Sequence, residues 1–293
     1  MNWGQLHIAD WLACLSTFNF QLSTNVIYIG TSGYSYDDWR GFFYPEGLDK
    51  RDMLSFYAQR FPAVEINSTY YSLPSAQMLA AMSRKTPAEF KFAIKAHKDI
   101  THSEETSRES ALALTEALKP LRDDGKLGCV LAQYPWSFKN TPFNGDRLGQ
   151  LRDLMGDVPT VVEFRNVGWV REETFAYMKD IGLGYCCVDE PRLKGLMPGT
   201  AIVTSPVGYI RFHGRNAQDW WQHEEAWMRY NYLYTQNELA EWVPKAKQVA
   251  EAAEDTYIFF NNHYQGKSPK NARMFARMLN ITLPLGDEEA VDG

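Results

Sequence analysis

Apolar and polar positions along this chain follow two different periods. Short apolar, β-branched or aromatic runs recur, and the longer segments between them carry apolar residues at helical spacing. The short runs predict eight strands, at Val26–Gly30, Ala63–Asn67, Phe90–Ala96, Gly128–Gln133, Thr160–Arg165, Leu183–Asp189, Val207–His213 and Thr256–Asn261. The longer segments predict helices over Asp49–Phe61, Ser75–Arg84, Glu104–Asp123, Asp146–Met155, Arg171–Ile181, Glu238–Glu254 and Ser268–Leu279.

Strands that alternate with helices in this way are typical of one fold class. Such units pair their strands in parallel, and eight of them close a barrel. We therefore predict an α/β protein with a single (β/α)8 barrel of the TIM type. Its sixth helix is expected to be short or missing, because residues 190–206 contain three prolines and two glycines.

The domain boundaries follow from the same pattern. No internal repeat and no low-complexity linker divides the chain of 293 residues. The barrel domain is expected to span residues 26–285, between an N-terminal extension of residues 1–25 and an acidic C-terminal tail of residues 286–293. The extension contains no Lys or Arg, so it lacks the positively charged region that begins a signal peptide.

Composition and charge disfavour some classes of function and indicate where in the cell the protein is expected. A hydrophobic content of 45% and a net charge of −6 disfavour a general role in coating nucleic acid, although a local basic groove remains compatible with them. The four cysteines form no CxxC motif, and a reduced, cytoplasmic location is therefore expected. No apolar run reaches the length of about 18 residues that a membrane span needs, so no membrane partner is expected.

The most informative feature is the polar chemistry at the strand ends. Four predicted strands end in two polar residues spaced two apart, namely Glu65 with Asn67, Lys95 with His97, Glu163 with Arg165, and Arg211 with His213. Because side chains alternate faces along a strand, the two residues of each pair point the same way. Four such pairs predict a polar cavity at the C-terminal mouth of the barrel, where the active sites of this fold lie.

The polar strand ends and the loops that follow them contain three groups of candidate site residues. The candidate catalytic residues are Glu65, Lys95, Glu163, Asp189 and His213. The candidate substrate-binding residues are Thr31, Ser32, Asn67, His102, Gln133, Arg165, Arg211, Arg215, Asn261 and Asn262. Aromatic residues expected to line the cavity are Tyr34, Trp39, Tyr71 and Trp169.

A first functional interpretation is an enzyme that binds an anionic small molecule and uses acid–base chemistry without a metal. A phosphate or carboxylate of this substrate would be clamped by Lys95, Arg165, Arg211 and Arg215, since Arg suits bidentate contact. Glu65 or Glu163 would act as general base and His213 as general acid. The substrate class would be phosphorylated, nucleotide-containing or sugar-containing molecules.

Three alternatives remain open at this point. A divalent metal could be held by Glu65, Glu163, Asp189 and His213, as in a phosphoesterase or nuclease-like hydrolase, although nearby Lys95 and Arg211 would repel the cation. Loops that mix aromatic residues with Arg and Lys are also compatible with a non-catalytic nucleic-acid-binding protein. Finally, the balanced acids and cations could form a buried ion-pair lattice that serves the fold alone.

Several motifs resemble the YecE-like family, a domain of unknown function numbered 72. They are Gly30-Thr31-Ser32-Gly33-Tyr34, Phe43-Tyr44-Pro45, Glu65-Ile66-Asn67-Ser68-Thr69-Tyr70-Tyr71, Phe92-Ala93-Ile94-Lys95, Gln133-Tyr134-Pro135, Glu163-Phe164-Arg165, Arg211-Phe212-His213-Gly214-Arg215 and Phe260-Asn261-Asn262. With Ile100-Thr101-His102 and Asn271-Ala272 they cover roughly residues 27–280 in order. The resemblance implies a TIM-type barrel and no settled reaction. Asn166 stands where relatives often carry His, which weakens any interpretation that needs many histidine ligands.

Overall fold

The predicted strands close into a barrel. The computed structural model describes residues 25–225 and 227–285, and its strands pair in parallel and in chain order, with β8 returning to β1. The strands are β1 (Val26–Ser32), β2 (Ala63–Ile66), β3 (Lys91–Lys95), β4 (Leu127–Gln133), β5 (Thr160–Glu163), β6 (Gly184–Asp189), β7 (Val207–Phe212) and β8 (Asp255–Phe260). The predicted (β/α)8 barrel is confirmed. Nearly all of the predicted N-terminal extension and the whole predicted C-terminal tail lie outside the described residues.

Helices lie between the strands and cover the outside of the barrel. They are α1 (Met53–Ala58), α2 (Ala76–Arg84), α3 (Lys98–Thr101), α4 (Arg108–Ala117), α5 (Lys119–Asp123), α6 (Pro142–Met155), α7 (Glu172–Asp180), α8 (Gln236–Ala240), α9 (Val243–Ala252) and α10 (Lys267–Met278). Short 3-10 turns such as Ser68–Tyr70 occur in the loops. Within the described part of the chain, no helix combines the length and the apolar character that crossing a membrane requires.

Several helices differ from the prediction. The predicted helix over Glu238–Glu254 is divided into α8 and α9, and two further differences have local reasons. The predicted helix over Glu104–Asp123 is divided into α4 and α5, and Pro120 lies in the first turn of α5. A proline farther inside a helix would lack the N–H for a backbone hydrogen bond, so the break precedes it. The short helix α3 was not predicted. It begins after His97, whose Nδ1 accepts a hydrogen bond from the Asp99 N–H at 3.4 Å.

The sixth helix is missing, as the prolines and glycines of residues 190–206 predicted. The loop that replaces it is held against β6 by hydrogen bonds. Thr204 Oγ1 donates to the Leu183 carbonyl at 2.6 Å, and the Ile202 N–H donates to Cys187 Sγ at 3.3 Å. Met197 of this loop is buried. The loop therefore covers the outer face of β6 where a helix would otherwise pack.

Aromatic side chains fill the barrel interior below the strand ends. The ring of Tyr209 lies 5.5 Å from that of Phe259 and 6.3 Å from that of Tyr257. Gly128 leaves space for the Tyr257 ring, because a Cβ at this position would lie 2.7 Å from it. The lower barrel is thus a packed aromatic floor, and the polar region above it faces the C-terminal mouth.

Candidate functional site

Three charged side chains from three strands meet inside the barrel, just below its mouth. Arg211 of β7 lies between Glu65 of β2 and Glu163 of β5. Its Nη2 is 2.6 Å from Glu65 Oε1, and its Nη1 is 2.5 Å from Glu163 Oε2. The three side chains are buried. We call Glu65, Glu163 and Arg211 the central ion-pair cluster.

Donors contact all four carboxylate oxygens of the central ion-pair cluster. Besides the two contacts of Arg211, the Tyr209 hydroxyl donates to Glu65 Oε2 at 2.7 Å, and Arg165 Nε lies 2.5 Å from Glu163 Oε1. Burial alone would raise the pKa of Glu163, but Arg165 and Arg211 hold it well below its usual range. Glu163 therefore stays ionised and is a poor general base at neutral pH.

His213 is fully buried beside the central ion-pair cluster. Its Nε2 is 3.2 Å from Glu163 Oε1, and its Nδ1 is 3.1 Å from Asn261 Nδ2. If the Asn261 amide nitrogen donates to Nδ1, then Nε2 carries the proton that His213 donates to Glu163. Burial and the nearby Arg165 lower the pKa of His213 to about 3. The imidazole is therefore neutral, and it orients Glu163 instead of providing an acidic proton at the mouth.

Lys95 ends β3, at the C-terminal edge of the barrel, and the residue is only partly buried. Its Nζ donates to Gln133 Oε1 at 2.9 Å and lies 4.7 Å from the centre of the Tyr70 ring. Within the described residues, no carboxylate lies within the 4.0 Å of an ion pair with this amine. Desolvation and the nearby Arg211 lower the pKa of Lys95 to about 7. A large fraction of the amine is therefore neutral at physiological pH.

Arg165 and His102 lie at the same mouth. Arg165 Nη1 is 3.3 Å from Glu190 Oε2, and its Nη2 makes no hydrogen bond with the residues that the structure describes. The His102 ring lies 5.1 Å from the Tyr70 ring. Burial and the nearby Lys95 lower the pKa of His102 to about 4. We call the five residues that share this opening the mouth cluster: Tyr70, Lys95, His102, Gln133 and Arg165.

Ser32 and Asn67 lie at the C-terminal ends of β1 and β2. Ser32 Oγ lies 3.4 Å from Arg211 Nη2, and its carbonyl accepts a hydrogen bond from the Tyr36 hydroxyl at 2.8 Å. Asn67 follows β2, and its side-chain oxygen has no hydrogen-bond partner in the described part of the chain. This oxygen is itself buried, so it is a polar atom inside the protein without a partner among the described residues.

Asp189 and Arg215 lie on the outside of the barrel instead of at its mouth. Asp189 pairs in register with Phe212, and its Oδ1 accepts a hydrogen bond from Trp242 Nε1 at 3.0 Å. Arg215 Nε lies 2.9 Å from Asp189 Oδ2, and its Nη2 lies 3.1 Å from Glu241 Oε2. Asp189 and Arg215 therefore form a separate, outer ion-pair group with Glu241, next to Trp242.

Thr31 and Asn262 also have partners away from the mouth. Thr31 Oγ1 lies 3.0 Å from the hydroxyl of Tyr57, a residue of α1. The Asn262 amide nitrogen donates to Asn271 Oδ1 of α10 at 2.8 Å. Both side chains thus connect a strand end to a covering helix, and the structure does not place them with the predicted substrate-binding residues.

The four predicted lining aromatics are divided between loop packing and the surface. Trp39 is buried, with its Nε1 donating to the His263 carbonyl at 2.6 Å. Trp169 is also buried, and its ring stacks on Phe164 at 4.5 Å. Tyr34 is partly buried, and its carbonyl accepts a hydrogen bond from the Tyr44 hydroxyl, while Tyr71 is 76% exposed. Trp39 and Trp169 therefore form the apolar cover of the loops.

The four residues considered as metal ligands do not form one site. Asp189 faces outward, and the carboxylates of Glu65 and Glu163 are occupied by Arg211 and its neighbours. Across the described ranges, no group of three or more His, Cys, Asp or Glu residues is arranged to hold a metal ion. The donor set of the mouth fits an anion better than a cation, because its charged members are basic.

Sequence reasoning missed Glu190 and Tyr209, and it did not place Tyr70 beside Lys95. Tyr209 precedes Arg211 by two positions on β7, so strand alternation could have placed both in the barrel interior. Glu190 follows Asp189 directly and contacts Arg165 instead of the outer ion-pair group. Burial raises the pKa of Glu190 to about 7. Tyr70 lies in a turn after β2, and no periodicity pointed to its contact with Lys95.

The fold and these motifs have close counterparts among known proteins. A family model described as "Protein of unknown function DUF72" matches residues 28–290. UPF0759 protein YunF of Bacillus subtilis (strain 168) is 30% identical over 272 residues, which are 87% of this chain and 95% of YunF.

Two solved structures agree with that match. A DUF72 family protein from Thermotoga maritima MSB8 is 38% identical with a TM-score of 0.80, over 87% of this chain and 99% of that one. Another from Enterococcus faecalis V583 is 28% identical with a TM-score of 0.78, over 88% of this chain and 96% of that one. The chain therefore belongs to the DUF72 family, the family that its YecE-like motifs indicated.

Proposed function

We propose that this protein is an enzyme that binds an anionic small molecule at the C-terminal mouth of the barrel. The observation that carries the proposal is the position of Lys95. Lys95 is only partly buried at the C-terminal end of β3, and its amine has a neutral hydrogen-bond partner in Gln133. Arg165 lies at the same opening, and its Nη2 makes no hydrogen bond within the described part of the chain.

The arrangement of charges supports an anionic ligand. Glu65 and Glu163 are fully buried, and donors already contact their oxygens. The mouth above them presents the positive groups of Arg165 and Lys95. In a partly dry cavity, such groups attract phosphate or carboxylate more strongly than exposed cations do.

Lys95 and Glu190 are the two described groups near this mouth whose pKa lies near 7, but the oxygens of Glu190 already contact Arg165 and the Met197 N–H. Lys95 is therefore the better suited of the two to moving a proton. A general acid or base works best when its pKa is near the pH at which the enzyme operates. Desolvation and Arg211 lower the pKa of Lys95 to about 7. Glu163 and His213 have pKa values below that range. We therefore assign to Lys95 the acid–base role that the sequence suggested for the buried carboxylates and the histidine.

Inorganic phosphate should bind to the protein with uptake of a proton. An anion beside Lys95 raises the pKa of its amine, so uptake is expected at and above pH 7 and should fade at lower pH, where the amine is already charged. Isothermal titration calorimetry in two buffers of different ionisation enthalpy measures this. Lys95→Met should abolish the uptake and weaken binding about tenfold to a hundredfold, as expected for one charged hydrogen bond.

Lys98→Met is the matched control, because Lys98 is an exposed residue of α3 three positions farther along. It should bind phosphate as the unaltered protein does. Absence of binding, or equal losses in the two variants, would argue against an anion site at the mouth.

A pair of exposed tryptophans favours nucleic-acid binding as a second candidate function. Trp136 is 43% exposed and Trp221 is 51% exposed, and their ring centres are 6.1 Å apart. Lys139 Nζ lies 3.1 Å from the centre of the Trp136 ring. Aromatic rings beside a cation can stack on bases of single strands.

This second candidate predicts measurable binding of a short single-stranded oligonucleotide at low salt. Affinity should fall steeply as salt rises, because phosphate contacts release counterions. Trp136→Ala should weaken it by about 1–3 kcal/mol, the contribution of one stacked base. Fluorescence anisotropy with labelled oligonucleotide measures both effects, and an absence of binding at low salt would remove this candidate.

A further inference from the structure

The amine of Lys95 differs from other lysine amines of the described chain in what surrounds it. Lys126 Nζ, which is also shielded, is held by the Ser83 carbonyl at 2.7 Å and the Thr86 carbonyl at 2.9 Å. Lys119 Nζ lies 2.6 Å from Glu116 Oε2. Lys95 Nζ has one amide oxygen and the face of an aromatic ring. The amine of Lys95 therefore has fewer polar partners than the amine of Lys126.

We propose that Lys95 forms a covalent imine with a substrate that carries an aldehyde or ketone next to a carboxylate or phosphate. This inference rests on the proposed anion site and names the substrate class for it. Lys95 would attack the carbonyl carbon, while Arg165 would hold the anionic group.

The geometry at the strand ends supports this assignment. Lys95 occupies the last position of β3, so a rigid strand fixes its backbone while the side chain reaches the opening. The amine contacts Gln133 and the ring of Tyr70, and the residue as a whole is only partly buried. Two guanidinium groups, Arg165 and Arg211, lie near it, and neighbouring cations are an established way of keeping a lysine amine neutral and nucleophilic.

Some charges around Lys95 raise the pKa of its amine and others lower it, and the net effect favours the neutral amine. Glu65 and Glu163 stabilise the ammonium form, but Arg211 and Glu65 bind each other, and Arg165 lies close to Glu163. Desolvation and Arg211 outweigh the carboxylates and lower the pKa of Lys95 to about 7. His102 is neutral as well, because its pKa is about 4, so it adds no positive charge at physiological pH.

The covalent step balances without an oxidant or a second reactant. The nitrogen electron pair of the neutral amine forms a bond to the carbonyl carbon, and the carbon–oxygen double bond becomes a hydroxyl. The hydroxyl then leaves as water with the second proton of the amine, and a carbon–nitrogen double bond remains. Hydrolysis reverses the same step. Protonation of the imine makes it an electron sink for a bond to the adjacent carbon.

Glyoxylate is a suitable probe because it is a small aldehyde with an adjacent carboxylate. The full-length protein is incubated with glyoxylate, and sodium borohydride then reduces any imine to a stable secondary amine. Mass spectrometry of the intact protein and of its peptides counts and locates the adducts. We expect one rapid adduct at Lys95, at least about tenfold faster than at other lysines, since the lowered pKa raises the neutral fraction roughly a thousandfold.

Two variants and one competitor separate this inference from the proposed anion site. Lys95→Met should lose the rapid adduct, and Lys126→Met should keep it, because Lys126 lies before β4 at the opposite end of the barrel. Inorganic phosphate should slow the adduct at Lys95. Phosphate binding without a preferred adduct at Lys95 would overturn the imine and leave the anion site standing. A rapid adduct at Lys95 that phosphate does not slow would support the imine and contradict the anion site.

Discussion

Replacing Arg211 with Met is expected to lower the free energy of unfolding by about 3–5 kcal/mol, the cost of breaking a buried ion pair by removing one partner. The substitution keeps an unbranched side chain of similar length but leaves Glu65 and Glu163 buried without the guanidinium between them. Denaturation by urea, followed by circular dichroism, measures the change. The slope of the transition should stay the same, because the surface exposed on unfolding is unchanged.

An exposed pair provides the control for this substitution. Arg122 Nη2 lies 2.5 Å from Asp157 Oδ2 at the surface, and Arg122→Met should cost at most about 1 kcal/mol. Adding Glu65→Gln and Glu163→Gln to Arg211→Met should recover part of the loss, since the buried carboxylates are then neutral. Equal effects of the two arginine substitutions would show that the central ion-pair cluster does not hold the barrel together.

Replacing Lys95 with Met should have the opposite effect and stabilise the fold by about 1–3 kcal/mol at pH 7. Lowering the pKa of Lys95 from 10.5 to about 7 corresponds to about 5 kcal/mol against the charged form, at 1.36 kcal/mol per unit. Partial exposure and the lost hydrogen bond to Gln133 reduce the net gain.

The stabilisation by Lys95→Met could come from removing a buried charge or from adding an apolar side chain. The way in which it changes with pH distinguishes these two causes. The folded pKa of Lys95 lies below its unfolded value, so the cost is fully present below pH 7 and shrinks as pH rises toward 10.5. The advantage of Lys95→Met should therefore be largest at or below neutral pH and fade in alkaline buffer. Urea denaturation at both ends of that range measures it.

Lys91→Met serves as the control for the Lys95 substitution. Lys91 begins the same strand, and its Nζ donates to the Gly125 carbonyl at 2.7 Å. We expect no comparable stabilisation from it. A loss of stability in Lys95→Met, or the same gain at every pH, would contradict this explanation. Either result would show that the fold does not disfavour the charged form of the Lys95 amine. When replacing a functional residue makes a protein more stable, the native residue lowers the free energy of unfolding in exchange for activity.

The barrel was predictable from sequence because periodicity is a local property. Strands such as β7 are short apolar runs, and the prolines of residues 190–206 excluded a helix by their own backbone restriction. The helix α3 could not be found in the same way. It has four residues, and its start depends on the side chain of His97 accepting a hydrogen bond from the backbone.

Of the candidate site, the sequence could predict only the residues whose orientation follows from the alternation of side chains along a strand. Alternation placed Glu65, Lys95, Glu163 and Arg211 at the mouth or just below it, and the structure brings these four residues close together. It could not decide between the neighbours Asp189 and Glu190. Which of two adjacent acids points inward depends on how β6 pairs with β7, and that register is set by long-range packing.

The link between Arg211 and Glu65 also determines the order in which this barrel can assemble. It joins residues 146 positions apart, so the guanidinium that contacts both interior carboxylates arrives with the seventh strand. A chain that ends earlier would have to enclose Glu65 and Glu163 without it or leave them hydrated in an open sheet. Half-barrel fragments should therefore remain unfolded, and the last strands should add to the chain in one cooperative step with closure.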